Sequence, residues 1–126
     1  MRELAAVFAG GAAGALARVG LTEAWPVTAG GWPWATFVVN VAGCLALGAV
    51  LVLTADGSAR RGLLGPGLCA GLTTFSTLQV ELVLLIRDGD PALAAAYATA
   101  SILAGLAAVA AGRRLAGGSP PESPRT

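Results

Sequence analysis

The stretch Gly67 to Leu78, GLCAGLTTFSTL, sets glycines, four hydroxyl side chains and an aromatic ring inside an otherwise apolar segment. Hydrocarbon offers no partner to a freed backbone N–H or C=O, so such a segment at membrane depth is buried in protein or lines a watery path. Its chemistry is coordination: Gly67, Gly71 and the cluster Thr73 to Thr77 weaken a continuous helix, and carbonyls released at a break can hold a cation. Asn40, inside the apolar run TFVVNVAGC, adds two amide donors and an acceptor that could face an anion. Phe75, Leu78 and Glu81 follow at a spacing of three and share one face of the helix that resumes. The edge of the Phe75 ring carries positive quadrupole character and suits a small anion without presenting a full charge. Tyr97 and Ser101 lie one turn apart with Gly105 completing their stripe, so a neutral path bearing donors is the reading of these residues together.

Each has a plainer reading. Asn40 alone suits an interhelical hydrogen bond, and Phe75 alone suits packing. Arg18, with only three residues between it and Thr22, can snorkel to the membrane interface or pair with a carboxylate at the helix end. Cys44 and Cys69 lack a CxxC or His partner, which makes them inert buried thiols rather than metal or redox groups. With no histidine, no metal cluster and no nucleophile beside a base, the chain is not expected to be an enzyme.

The elements that must carry these residues follow from composition. Of 126 residues, 56% are hydrophobic and 12% charged, which places the chain among integral membrane proteins. Lys is absent and the net charge is +1, so no basic surface is available for nucleic acid. Four apolar runs, Leu4 to Leu21, Ala35 to Thr54, Leu63 to Ile86 and Ala92 to Ala111, are each about as long as the roughly 20 residues that span a bilayer. The first resembles a signal sequence in its Ala and Gly content, but Arg18 near its end argues for a retained span. Trp25, Trp32 and Trp34, beside Pro26 and Pro33, suit an interfacial aromatic belt. The expected organisation is an all-α membrane protein with four transmembrane helices, the third broken, over residues 1–114. A Pro/Ser/Gly-rich tail over residues 115–126 is expected to be disordered.

Four spans put both termini and the turn Asp56 to Arg61 on one side. Arg2, Arg60, Arg61, Arg113, Arg114 and Arg125 fall there, against Arg87 opposite, so the positive-inside rule predicts cytoplasmic termini and one fixed orientation. A bundle this thin does not easily enclose a pore alone, so oligomerisation is expected. Gly10 with Gly14, and Ser101 with Gly105, have the small-residue spacing of close helix contacts, which arises readily in Ala/Gly-rich helices and fixes no particular interface.

Three segments, GGAAGALARVGL at Gly10 to Leu21, ATFVVNVAGCLALG at Ala35 to Gly48 and GLCAGLTTFSTLQVE at Gly67 to Glu81, resemble the CrcB/Fluc family of fluoride channels across all four spans. The resemblance implies an antiparallel, dual-topology dimer in the cell inner (plasma) membrane, with two fluoride pores along its interface and a central structural sodium ion. It implies that Asn40 is the pore amide, Phe75 the first member of an aromatic box, and Thr77 and Ser101 pore hydroxyls. Tyr97 is aligned to the pore less securely. The Ala70 and Thr73 main-chain carbonyls would hold the sodium; Ala replaces the usual Gly at 70. Arg18 matches the first-helix arginine, and Gly71 and Glu81 lie within the motif as structural residues.

One departure matters: Leu78 stands where the family motif has its second Phe. Leu keeps bulk and loses the aromatic edge. A homodimer would lack a box member in each pore, whereas an oppositely oriented paralogue retaining both would complete one pore with Phe75. The arginine bias favours the same heterodimer, since a chain inserting both ways needs balanced charge. The expected function is passive fluoride export that relieves fluoride toxicity. The alternatives are a proton-coupled small multidrug transporter, which would want a carboxylate absent from the first run, and a structural subunit without a complete pore of its own.

Overall fold

The computed structural model describes residues 1–118. The described chain is all helical, and four helical stretches are long and apolar enough to cross a membrane. Helices α1 (Arg2–Ala24) and α2 (Trp34–Leu53) form the first two spans. The third is composite: α3 (Ala59–Gly62), a π-helical segment (Leu63–Cys69), α4 (Ala70–Leu72), then α5 (Phe75–Arg87). Helix α6 (Pro91–Leu115) is the fourth span; Leu115, placed in the tail by sequence, is helical, and residues 119–126 of that tail lie outside the described residues.

Local chemistry sets these boundaries. The Ser58 side chain accepts the Arg61 N–H at the start of α3, and the Asp90 carboxylate accepts the Leu93 N–H at 2.9 Å at the start of α6, where Pro91 occupies the first turn and needs no donor. Gly89, at φ +89°, lets the chain reverse between α5 and α6. Pro66 has no N–H with which to close an α-helical turn, and the seven residues around it take the wider π pitch.

In lipid no hydrophobic force drives helix against helix, so close backbone approach has to hold the bundle. Glycine supplies it on both sides of the molecule. A Cβ on Gly10 would strike the Leu63 carbonyl, one on Gly14 the Leu68 carbonyl, and one on Gly71 the Gly11 carbonyl, which seats α1 on the third span. The Gly10/Gly14 pair thus serves an interface within the chain. Helices α2 and α6 pack parallel through Gly48 against the Val109 carbonyl and Gly112 against the Leu45 carbonyl. A Cβ on Gly105 would meet only the Cys44 sulfur, at ordinary van der Waals distance.

One small buried cluster, Leu85, Ala94 and Tyr97, is covered by Trp32, Phe37, Leu78, Leu82 and Leu93. Trp25 and Trp34 are half exposed, as an aromatic belt requires. Trp32 turns inward instead, its ring meeting Phe37 and Tyr97 edge to face at 5.5 and 5.2 Å. Arg2, Arg60, Arg61, Arg113 and Arg114 gather at one end, where Glu3 lies beside Gly57 and the end of α2 beside the end of α6.

Candidate functional site

Thr73 and Thr74 carry extended torsions between α4 and α5, so the carbonyls that precede them lose their next-turn donors. Two side chains from other spans meet the backbone here. The Asn40 Nδ2 donates to the Thr74 carbonyl at 3.1 Å, while the Thr74 N–H donates to Asn40 Oδ1 at 2.7 Å. One amide therefore clamps one residue's backbone from both sides, as a strand neighbour would. From α1, the Arg18 Nε donates to the Gly71 carbonyl at 3.4 Å. Its guanidinium reaches backbone, where the sequence suggested either the interface or a carboxylate. Thr74 restarts the helix by accepting the Thr77 N–H at 3.2 Å, and its hydroxyl donates to the Thr77 hydroxyl at 3.0 Å.

A cation site built from carbonyls is chemically consistent with this geometry. In an unbroken helix the Thr74 N–H would serve the Ala70 carbonyl; here it goes to Asn40, and the Ala70 oxygen accepts the Thr73 hydroxyl at 3.3 Å. Ala70 sits at φ −69° and ψ −34°, an ordinary helical conformation, so alanine fills this position without strain.

Beside the break runs an open groove of about 720 Å³. Asn40, Phe75, Leu78 and Ser101 all line it, together with Ala70, Thr73, Thr74, Gly43 and Gly105, and none of its lining residues carries a formal charge. Phe75 is 73% exposed, a large ring left uncovered by its own chain. The Ser101 hydroxyl is buried and has no hydrogen-bond partner among the described residues, leaving a donor to be satisfied at the groove wall.

Glu81 and Tyr97 belong to a different cluster. The Tyr97 hydroxyl donates to Glu81 Oε2 at 2.7 Å, and the Thr36 hydroxyl donates to Oε1 at 2.6 Å. Tyr97 and Thr36 are fully buried and Glu81 nearly so, with Trp32 lying edge-on over the tyrosine. Both carboxylate oxygens thus have donors, which is what makes a carboxylate tolerable at this depth. Tyr97 and Thr77 do not line the groove. Spacing put Tyr97 and Ser101 on one stripe, yet the stripe divides: Ser101 opens to the groove and Tyr97 to the core. Thr36 is an addition of the structure, and Thr74, one of the Thr73 to Thr77 cluster, gains its clamp to Asn40. Thr36 stands four residues before Asn40 on one side of α2, a spacing that carried the signal.

These features sit on a sequence with close relatives. The family model described as "CrcB-like protein, Camphor Resistance (CrcB)" matches residues 5–113. A relative from Mycobacterium bovis, named "Fluoride-specific ion channel FluC 1", is 53% identical over 112 residues, 86% of this chain and 85% of its own length. "Fluoride-specific ion channel FluC 2" of Bacillus subtilis is 42% identical over 124 residues, covering 93% and 92% of the two chains, and "Fluoride-specific ion channel FluC" of Chlorobaculum tepidum is 39% identical over 120 residues. With a match of this extent, enclosing the break, the Asn40 clamp and all four spans, the chain belongs to the CrcB family.

Proposed function

We propose that the chain is a subunit of a passive fluoride-selective channel that lets fluoride leave the cytoplasm and so relieves its toxicity. The carrying observation is the uncharged groove that brings Asn40, Phe75, Leu78 and Ser101 together. Fluoride is small and strongly hydrated, so a pathway needs several neutral donors in place of water and walls close enough to reject larger anions. The Ser101 hydroxyl is such a donor, and Asn40 retains one amide hydrogen beyond its bond to Thr74. The exposed Phe75 edge adds a weak positive field. An inside-negative potential favours anion exit by about 2.3 kcal/mol per charge per 100 mV, so no energy source is required. The relatives' printed names support the same substrate.

The groove is open on one side, and in this reading an antiparallel second subunit closes it. Leu78, not Phe, lines it beside Phe75, and the arginine-rich end favours cytoplasmic termini and a single orientation. The partner is therefore a paralogue of opposite orientation in the inner membrane. The Ala70 and Thr73 carbonyls would hold a structural sodium, which when bound would supply a fixed positive charge beside the break. Asn40 accepts the Thr74 N–H and so fixes the peptide that carries the Thr73 carbonyl, while the Ala70 carbonyl accepts the Thr73 hydroxyl. A multidrug transporter gains nothing from the geometry, because Glu81 has both oxygens engaged by Thr36 and Tyr97.

The test is protection of fluoride-sensitive cells lacking their own fluoride export. Expression with an oppositely oriented paralogue should restore growth in fluoride, and an affinity tag on one chain should recover the other. Failure of both arrangements, with the chain well expressed in the membrane, would contradict the reading.

A further inference from the structure

Adjoining the groove, with which it shares Leu47, Gly65 and Pro66, a cavity of about 310 Å³ opens at the arginine-rich end of the bundle, between α1, α2 and the π-helical segment. Its walls are apolar, formed by Val7, Leu47, Leu51 and Pro66. Polar groups stand at its rim: Ser58, Arg61 and Glu3. A space of this size would take about ten waters at liquid density, yet its apolar walls offer them few partners. It suits an amphiphile, with chain inside and head at the mouth.

Arg61 is held in place for such a head. Its Nη1 donates to the Thr54 carbonyl at 3.4 Å and its Nη2 to the Leu51 carbonyl at 3.2 Å, while its ion-pair partner Asp56 is 92% exposed and free to yield. Arg60 and Arg2 are exposed neighbours of the rim residues Arg61 and Glu3. Among the described residues this end carries five arginines against Glu3 and Asp56, whereas the opposite turns carry Glu23, Asp88 and Asp90 against Arg87. A spanning chain places these turns at headgroup level, and the leaflet on the basic side is the one rich in anionic lipid.

We propose that this cavity seats an anionic phospholipid, with one acyl segment between Val7, Leu47 and Leu51 and the phosphate on Arg61 and Arg60. Glu3 opposes the phosphate and limits its hold. The site borders the groove at Leu47 and Pro66 but reaches none of Asn40, Phe75, Leu78 or Ser101, and its test reads bound lipid rather than fluoride conduction.

Native mass spectrometry of the purified chain, after incubation with equal phosphatidylglycerol and phosphatidylcholine, reads the bound lipid directly. Phosphatidylglycerol should be retained about fivefold or more over phosphatidylcholine, and Arg60→Gln should remove about a fivefold share of that preference, the effect of one arginine near an anionic headgroup. Glu3→Gln should raise retention. Leu51→Trp, which fills the cavity, should abolish it, and Val7→Phe serves the same purpose if the tryptophan variant does not fold. Equal retention of the two lipids, unchanged retention in the filled variants, or well-folded protein carrying no lipid would overturn the proposal.

Discussion

Asn40 uses one side chain to satisfy both backbone groups of Thr74, and that is why a helix can stop for two residues at membrane depth. Asn40→Asp keeps the shape and the acceptor but sets a carboxylate oxygen against the Thr74 carbonyl. It should lower stability in detergent by about 1–3 kcal/mol, measurable by thermal unfolding, and weaken fluoride flux as the break shifts. Thr36→Val removes one of the two hydroxyls that serve Glu81 at nearly constant volume and should cost a similar amount, about 1–3 kcal/mol. Leu78→Phe restores an aromatic edge beside Phe75. An edge contact is worth about 0.5–1.5 kcal/mol, so fluoride flux by the chain alone should rise several-fold; no gain in a correctly assembled dimer would show that Leu78 is not limiting.

At the scale of elements, the bundle depends on glycine carrying one backbone against another. Gly48 and Gly112 meet carbonyls rather than flexible side chains, so a larger residue has nowhere to push. Gly112→Leu should separate α2 from α6 and cost about 1–3 kcal/mol or more, seen as loss of monodisperse protein on size exclusion. Gly105→Ala should be tolerated, since its added carbon would meet only the Cys44 sulfur at 3.5 Å. Four spans were legible in the sequence because apolar run length and interrupting charges are direct consequences of bilayer thickness. Asn40 and Ser101 were legible as polar groups in apolar runs, and Phe75 and Leu78 through the motif that holds them; all four line the groove. Other features were not legible. Pro66 signals an interruption, but the seven-residue extent of the π pitch around it is not encoded by the proline alone. Tyr97 and Ser101 look equivalent by spacing, and only the placement of Glu81 and Thr36 sends the phenol inward. Trp32 reads as an interfacial residue from its flanking prolines, while its ring is drawn onto Tyr97 and Phe37.

The whole molecule is a thin bundle that leaves Phe75, Leu4, Phe8, Leu16 and other large apolar side chains uncovered, to face lipid or a second subunit. Its arginines gather at one end, and this asymmetry carries the account of pairing. Single cysteines at position 2 and at position 57, in a variant lacking Cys44 and Cys69, should be labelled from the same side of intact cells' membranes, the cytoplasmic one; equal labelling from both sides would mean that the chain inserts both ways and needs no paralogue. The central claim is that the groove beside the break is a fluoride path. It is tested most directly by fluoride efflux from liposomes holding the purified chain paired with an oppositely oriented relative, with chloride as the control anion. The account predicts rapid fluoride release, little chloride release, and a marked loss of fluoride flux when Phe75 is replaced by Ala in this chain. Absence of fluoride release from well-folded pairs, or equal passage of chloride, would contradict it.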